Sequence, residues 1–383
     1  MSAYRFDVEK IKTTRPADAA LTVSIILLTG VGLVTLYSAS SAFAERFFGT
    51  PFFFLKKQAS FGAFGIMLMV VASWIDIELV RRWIKPLVLG SLLLCILTFV
   101  PGIGMAKNGA ARWIRFGSHS YQPSELVKLV LPIYLAHFFA KKESRLDEVT
   151  SGVLPPAIIV TLYSLIIYLQ NDFSTAAFIA FNALVVFFLA GIRLRHFLAS
   201  AAVFVPVSLV MIFSKEYRVQ RLMSFMEPEK DLMGAGYQVH ASAMALFSGG
   251  FWGKGLGRGT RKIASVPEVH SDFIFSAYGE EFGFFGVVLL FALIAFFAFR
   301  GFVSGWRSDD TFKRLLAFGL TTMIVSQALL NLAVVVGAMP ATGVPLPFFS
   351  AGGSSLATTL LMTGLLINIS RKPAERVEVD NVR

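Results

Sequence analysis

Residues 266–281 read VPEVHSDFIFSAYGEE, and five of these positions can titrate: Glu268, His270, Asp272, Glu280 and Glu281. A carboxylate beside a basic segment suits one kind of chemistry. It takes a proton from a hydroxyl while cations stabilise an anionic leaving group. Asp272 is the candidate base. It stands where a polar loop meets an apolar run, so a helix-capping carboxylate is the plain alternative. His270 can carry a proton or simply be hydrogen-bonded in the loop. Asp272 and Glu268 can share a loosely held divalent ion, such as Mg or Mn, with a pyrophosphate. No Cys/His metal spacing occurs, and no other cofactor is indicated.

Three further stretches carry charge. In GGFWGKGLGRGTRK (249–262), alternate glycines let backbone amides approach an anion. Arg258 and Lys262 there join Lys107, Arg112, Arg115 and Arg218 as candidate cations for a pyrophosphate. The stretch is not a P-loop, because Gly rather than Ser or Thr follows Lys254. A basic loop touching lipid headgroups is its plainer reading. In YQPSELVKLVLPIYL, Glu125 and Lys128 share a helix face at i,i+3. They are either a structural ion pair at a span entry or a pair lining an outward polar cavity. In GMAKNGAARWIRFGSHSYQPSE (104–125), Trp113, Ile114 and Phe116 beside Arg112 and Arg115 predict a helix lying at the interface.

The elements that must position these groups are membrane spans. The 383 residues are 55% hydrophobic and 15% charged, against roughly 25% charged in a soluble domain. Runs of span length predict an all-α polytopic membrane protein. About ten transmembrane helices are expected, at 18–39, 58–75, 86–101, 123–140, 153–170, 174–191, 196–213, 273–299, 313–337 and 351–370. The third is short and is expected to extend into its flanks. The interfacial helix follows it, and a long outer loop, 214–272, joins the seventh and eighth.

Lys and Arg cluster in alternate short segments: Arg5, Lys10, Lys12 and Arg15; Arg81, Arg82 and Lys85; Lys141, Lys142 and Arg145; Arg193 and Arg195; Arg300, Arg307, Lys313 and Arg314; Arg371, Lys372, Arg376 and Arg383. Short loops dominate the positive-inside rule, so both termini are expected in the cytoplasm. That gives a cytoplasmic N-terminal segment 1–17, one transmembrane domain 18–370, and a cytoplasmic tail 371–383. The net charge of +11 is read as cytoplasmic ends and anionic lipid contacts, not nucleic acid. The basic start, apolar run and AFA at 42–44 imitate a signal peptide, but the run is too long for a signal core and reads as the first span.

These pieces together resemble a known family, the membrane proteins of shape, elongation, division and sporulation (the SEDS family, which includes FtsW and RodA). The resemblance is carried by LVTLYSAS at 33–40, NGAARWIRFGSHSYQPSELVKL at 108–129, QNDFSTA at 170–176, GAGYQVHASAMALFSGGFWGKGLGRGTRK at 234–262, PEVHSDFIFSAYGEEFG at 267–283 and MPATGVPLPFFSAGGSSL at 339–356. It covers nearly the whole chain in the family's order.

The resemblance implies ten spans in the cytoplasmic membrane of a bacterium and an outward-facing cavity. It implies polymerisation of lipid II into glycan strands, with undecaprenyl pyrophosphate leaving and inversion at the sugar. It also implies a class B penicillin-binding protein as partner, among other divisome or elongasome membrane proteins. The family's essential acid falls on Asp272, and its Glu/Lys pair on Glu125 and Lys128. The division branch matches better than the elongation branch, and a lipid II flippase is the rival activity. The family usually has proline and glycine where this chain has Asn171 and Ser174, and tyrosine where it has Ala351.

Overall fold

The computed structural model describes residues 16–107, 109–117, 119–227, 235–259 and 269–371. Seven of its helical segments are long and apolar enough to cross a membrane. They comprise α1 (Ala19–Phe48), α2 (Phe53–Trp74), α6 (Leu154–Leu169, with the turn before it), α8 (Leu194–Phe213), α11 (Ile274–Trp306), α12 (Thr311–Val335) and α13 (Gly353–Ser370). The shorter α4 (Ile84–Leu97) and α7 (Phe173–Leu189), with α5 (Pro123–Lys141), occupy the remaining expected spans. The chain is therefore a multi-pass helical membrane protein. The third span does not lengthen: α4 stops at Leu97, and a separate short helix, α3 (Ile77–Arg82), precedes it.

The most enclosed helices are α5, α12 and α13, whereas α8 has no buried residue and lies at the rim. That placement explains the composition of α5. Glu125 and Lys128 face protein, where partners meet the cost of leaving water. Lipid supplies no hydrophobic drive between helices, so polar contacts help hold the bundle. Ser91 of α4 meets Tyr163 of α6 at 2.6 Å. Asn368 of α13 donates to the carbonyls of Ala72 and Ile75 at 2.9 and 2.6 Å, satisfying the end of α2. At the far end from Asp272, Asp18 caps α1 and pairs with Arg300 of α11, while its own amide donates to Ser370 of α13 at 3.0 Å. Three helices are pinned there by one residue.

The interfacial element differs from the expectation. Residues 104–121 form an antiparallel sheet, not a helix: β1 (Gly104–Lys107), β2 (Ala110–Phe116) and β3 (His119–Tyr121). Lys107 pairs with Ala110, and Phe116 with His119, which leaves two-residue connections. Gly109 and Gly117 lie there with φ of 75° and 58°. Two-residue hairpins need such positive φ values, and Asn-Gly at 108–109 is a strong hairpin sequence. The change of period has a direct consequence. A helix would place Arg112 and Arg115 on one face, but a strand sends them to opposite faces.

The loop 214–272 is partly helical, with α9 (Glu216–Met226) and α10 (Ala235–Ser248). Helix α11 is interrupted at Gly283, whose φ of 65° and ψ of −168° are not helical.

Candidate functional site

Asp272 sits immediately before α11 and is partly exposed. It is not the N-cap of that helix: the cap position is Phe273, whose side chain makes no capping hydrogen bond. Ser271 donates to Asp272 Oδ1 at 3.1 Å, and the Asn331 amide donates to the Asp272 carbonyl at 2.8 Å. The other carboxylate oxygen lies against Gly343, where a β-carbon would come within 3.5 Å of it. Gly343 has φ of 72°, so the irregular 338–350 segment turns here in a conformation that suits glycine.

His270 packs its ring against Phe54 and Phe43, at centroid distances of 4.4 and 5.3 Å. Its carbonyl accepts from Ala351 at 2.9 Å. Gln58 of α2 donates to the Ser350 carbonyl at 2.9 Å. The surroundings of Asp272 are thus built from the ends of α1, α2 and α12 together with residues 341–351.

Glu125 and Lys128 are both buried, 2.8 Å apart. The Lys128 ammonium also donates to Gln327 Oε1 at 3.0 Å, and Gln327 Nε2 donates onward to the Pro345 carbonyl at 2.9 Å. One helical turn along α12, Asn331 Nδ2 bridges the carbonyls of Val344 (2.9 Å) and Asp272 (2.8 Å). Through the adjacent carbonyls of Val344 and Pro345, these contacts join the charged pair of α5 to the backbone of Asp272. The i,i+4 spacing of Gln327 and Asn331 puts both amides on one face. The sequence reading missed these two residues. Polar side chains four apart in an apolar helix were the available signal.

The other candidate residues are dispersed. Arg112 pairs with Asp172 at 3.3 Å, and Gln122 donates to the same carboxylate oxygen at 3.2 Å. Arg115, on the opposite face of the sheet, is exposed and its guanidinium lies 3.7 Å from Met105 Sδ. Arg218 is buried in an aromatic cage, 4.6 Å from the Tyr168 ring centroid and 5.3 Å from those of Phe173 and Tyr217. It donates to the Met211 carbonyl at 2.6 Å. Burial works against its charge, but hydrogen bonds to Tyr168 and Tyr217 outweigh that and raise its pKa. Its donors serve the junction of α8 and α9. Glu268 and Lys262 lie outside the described residues, as does the side chain of Lys107. Among the described residues no group of three or more His, Cys, Asp or Glu side chains converges.

Tyr121 of β3 lies beside Thr358 of α13. Burial first, and the nearby Glu125 charge second, push its phenol well above the ordinary range. Asn171 donates to the Gly109 carbonyl at 2.9 Å and has φ of 62°. A proline at this position is locked near −65°, so this turn has a backbone that proline cannot adopt.

The glycine-rich loop does bind an anion through its backbone, but the anion is the protein's own. Gly257 donates to Glu281 Oε1 at 3.2 Å, and Ser38 of α1 donates to the same oxygen at 2.6 Å. Lys254 pairs with Glu280 at 2.6 Å. The break at Gly283 strands carbonyls on one side and amides on the other. The loop satisfies both: Lys254 and Gly255 amides donate to the carbonyls of Glu280 and Glu281, each at 3.0 Å. Phe284 and Phe285 amides donate to the carbonyls of Gly250 and Phe251 at 2.9 and 3.0 Å. The first segment of α11, which follows Asp272 directly, is held by this clamp.

The clamp makes a stability prediction. A β-carbon at Gly253 would lie 2.1 Å from the Glu281 carbonyl oxygen, while one at Gly257 would meet nothing within 4 Å. Both glycines have φ of 80°. Gly257→Ala is therefore expected to cost only the backbone strain, about 1–3 kcal/mol. Gly253→Ala should cost clearly more, read as a lower unfolding midpoint in detergent. Equal midpoints for the two variants would show that the loop is not packed on the break.

A family model for cell cycle proteins of the FtsW, RodA and SpoVE type matches residues 19–375. A probable peptidoglycan glycosyltransferase FtsW of Geobacter sp. strain M18 is 38% identical over 355 residues, covering 93% of this chain and 97% of its own length. The stage V sporulation protein E of Bacillus subtilis is 36% identical over 360 residues, covering 94% of this chain and 98% of its own. A chain from a structure of a peptidoglycan synthase complex, described as coordinating polymerization and crosslinking, superposes with a TM-score of 0.76. It is 29% identical and covers 92% of this chain and 97% of its own length. Sequence match and shared helical architecture agree over nearly the full length, and the chain belongs to the FtsW/RodA/SpoVE family of cell cycle proteins.

Proposed function

We propose that the protein is a peptidoglycan glycosyltransferase that polymerises lipid II at the outer face of a bacterial cytoplasmic membrane, as an FtsW-type enzyme of cell division. One observation carries this reading. Asp272 is a partly exposed carboxylate that is not the N-cap of α11, and its backbone is joined through the carbonyls of Val344 and Pro345 to Glu125 and Lys128. The names of the relatives supply the substrate class.

The reaction joins a sugar hydroxyl to an anomeric carbon. Asp272 takes the hydroxyl proton, the new C–O bond forms on one face, and the bond to undecaprenyl pyrophosphate breaks on the other. A single displacement inverts the anomeric centre and needs no covalent carboxylate. Cations stabilise the departing pyrophosphate. Arg112, Arg115 and Arg258 are the described candidates with exposure, and Lys107 and Lys262 complete the proposed set. Glu268 would help place the sugar or share a divalent ion with Asp272. Both termini are placed in the cytoplasm by the charge of the short loops. The proposed partner is a class B penicillin-binding protein, which crosslinks the strands. The comparison with a chain of a peptidoglycan synthase complex supports it.

The test is direct. The protein is purified with a class B penicillin-binding protein and supplied with labelled lipid II in detergent, where no membrane sidedness exists. Long glycan strands are the expected product. No polymer from a folded complex, with lipid II transport in vesicles, would move the assignment to a flippase. Rescue of cell shape rather than of septation in depletion strains would move it to the elongation branch.

A further inference from the structure

Two buried asparagines in the bundle invite comparison. Asn182 of α7 is satisfied at both ends: its amide donates to the Phe178 carbonyl at 2.9 Å, and its oxygen accepts from Ser326 at 2.9 Å. Asn331 of α12 is also almost fully buried, and its nitrogen serves two carbonyls, those of Asp272 and Val344. Because both partners are acceptors, the amide orientation is forced. Its oxygen then has no partner among the described residues. A merely structural asparagine gains most when both ends are bonded. Asn331 instead spends both hydrogens on the two backbone segments that flank the Asp272 carboxylate: residue 272 itself, and the 343–344 turn against which Oδ2 rests.

We propose that Asn331 is a positioning residue for the proton-accepting carboxylate, fixing Asp272 against the Gly343 turn. The inference rests on Asp272 being the base. Gln327 braces the same turn from one helical turn away, through Pro345, and is itself held by Lys128. Without Asn331, the Asp272 carbonyl loses its link to α12 and the 343–344 turn loses its brace at Val344. The carboxylate can then drift from the attacking hydroxyl. A misplacement of about 1 Å costs on the order of 100-fold in rate. Substrate affinity changes little, because Asn331 is buried and a base contributes to the chemical step.

The experiment compares variants in the polymerisation assay with labelled lipid II and the intact complex. Asn331→Ala is expected to lower kcat by about 100-fold with KM and complex formation retained. Asn182→Ala, a buried asparagine away from Asp272, should lower the unfolding midpoint and leave kcat unchanged. Asp272→Asn is run alongside. If Asp272→Asn is inactive while folded Asn331→Ala keeps the normal kcat, the positioning role is overturned and the base assignment stands. A raised KM with normal kcat overturns it equally. A normal rate for Asp272→Asn overturns the base assignment and this inference with it. Should Asn331→Ala not fold, Asn331→Ser, which keeps one donor, is read by the same criteria.

Discussion

Asp272→Asn is expected to reduce glycan polymerisation by about 10²–10⁴-fold, the usual contribution of a positioned general base, while the protein still folds and binds its partner. The substitution keeps the shape of the side chain and removes its capacity to hold the proton. Two features of the fold do not depend on the carboxylate: the cap position of α11 is Phe273, and the Asn331 bond is to the backbone carbonyl, which the substitution leaves in place. Its contact with Ser271, at 3.1 Å, can be kept by the amide oxygen. Unfolding midpoint and co-purification with the penicillin-binding protein should therefore match the parent. Lipid II polymerisation is the quantity that falls. Near-normal strand synthesis by a folded complex would falsify the assignment, and the search for a base would pass to Glu268 or His270. Loss of folded yield instead would show that the carboxylate holds the surrounding segments together.

The second expected result concerns stability. Glu125→Gln and Lys128→Met should each cost about 3–5 kcal/mol, because each leaves a buried charge without its counter-charge. Lys128→Met also strips a donor from Gln327, whose amide braces the Pro345 carbonyl. The double variant Glu125→Gln/Lys128→Met should lose less than the two singles together, because no uncompensated charge remains. The coupling is expected within the 0.5–3 kcal/mol range typical of residues in one network, or about this size. Unfolding midpoints in detergent for the four proteins of the cycle measure it. Strict additivity would mean that the pair, although 2.8 Å apart, does not act as a unit. Because these contacts lead to the Asp272 carbonyl, the Lys128 variant should also lower kcat in whatever fraction still folds. Normal kcat in that fraction would confine the pair to a structural role.

What the sequence determined by itself was local in character. Apolar runs of span length depend only on composition, so the ten spans were legible, and the basic clusters between them were too. Pro123 before Glu125 and Lys128 marked the start of α5, and the observed helix begins there. Asp272 was visible because the switch from polar loop to apolar helix falls on it. Tertiary structure decided the rest, since the deciding contacts join residues far apart in the chain. Residues 104–121 have apolar and basic residues at a spacing that suits a helix or a strand, and only the two tight glycine connections and the register made them a sheet. That register then sent Arg112 inward to Asp172 and left Arg115 outside. The glycines of 249–257 looked like a cradle for a foreign anion. Their place against the break at Gly283 made them a clamp on Glu281, because the carbonyls and amides stranded by the break needed partners. The polar contacts span 199 residues between Lys128 and Gln327, and 59 between Asp272 and Asn331. An amide side chain in an apolar helix has no periodic signature. Its role depends on which backbone carbonyl the fold brings within 3 Å of it, and that was settled only when α12 packed between α5 and the turn at Gly343.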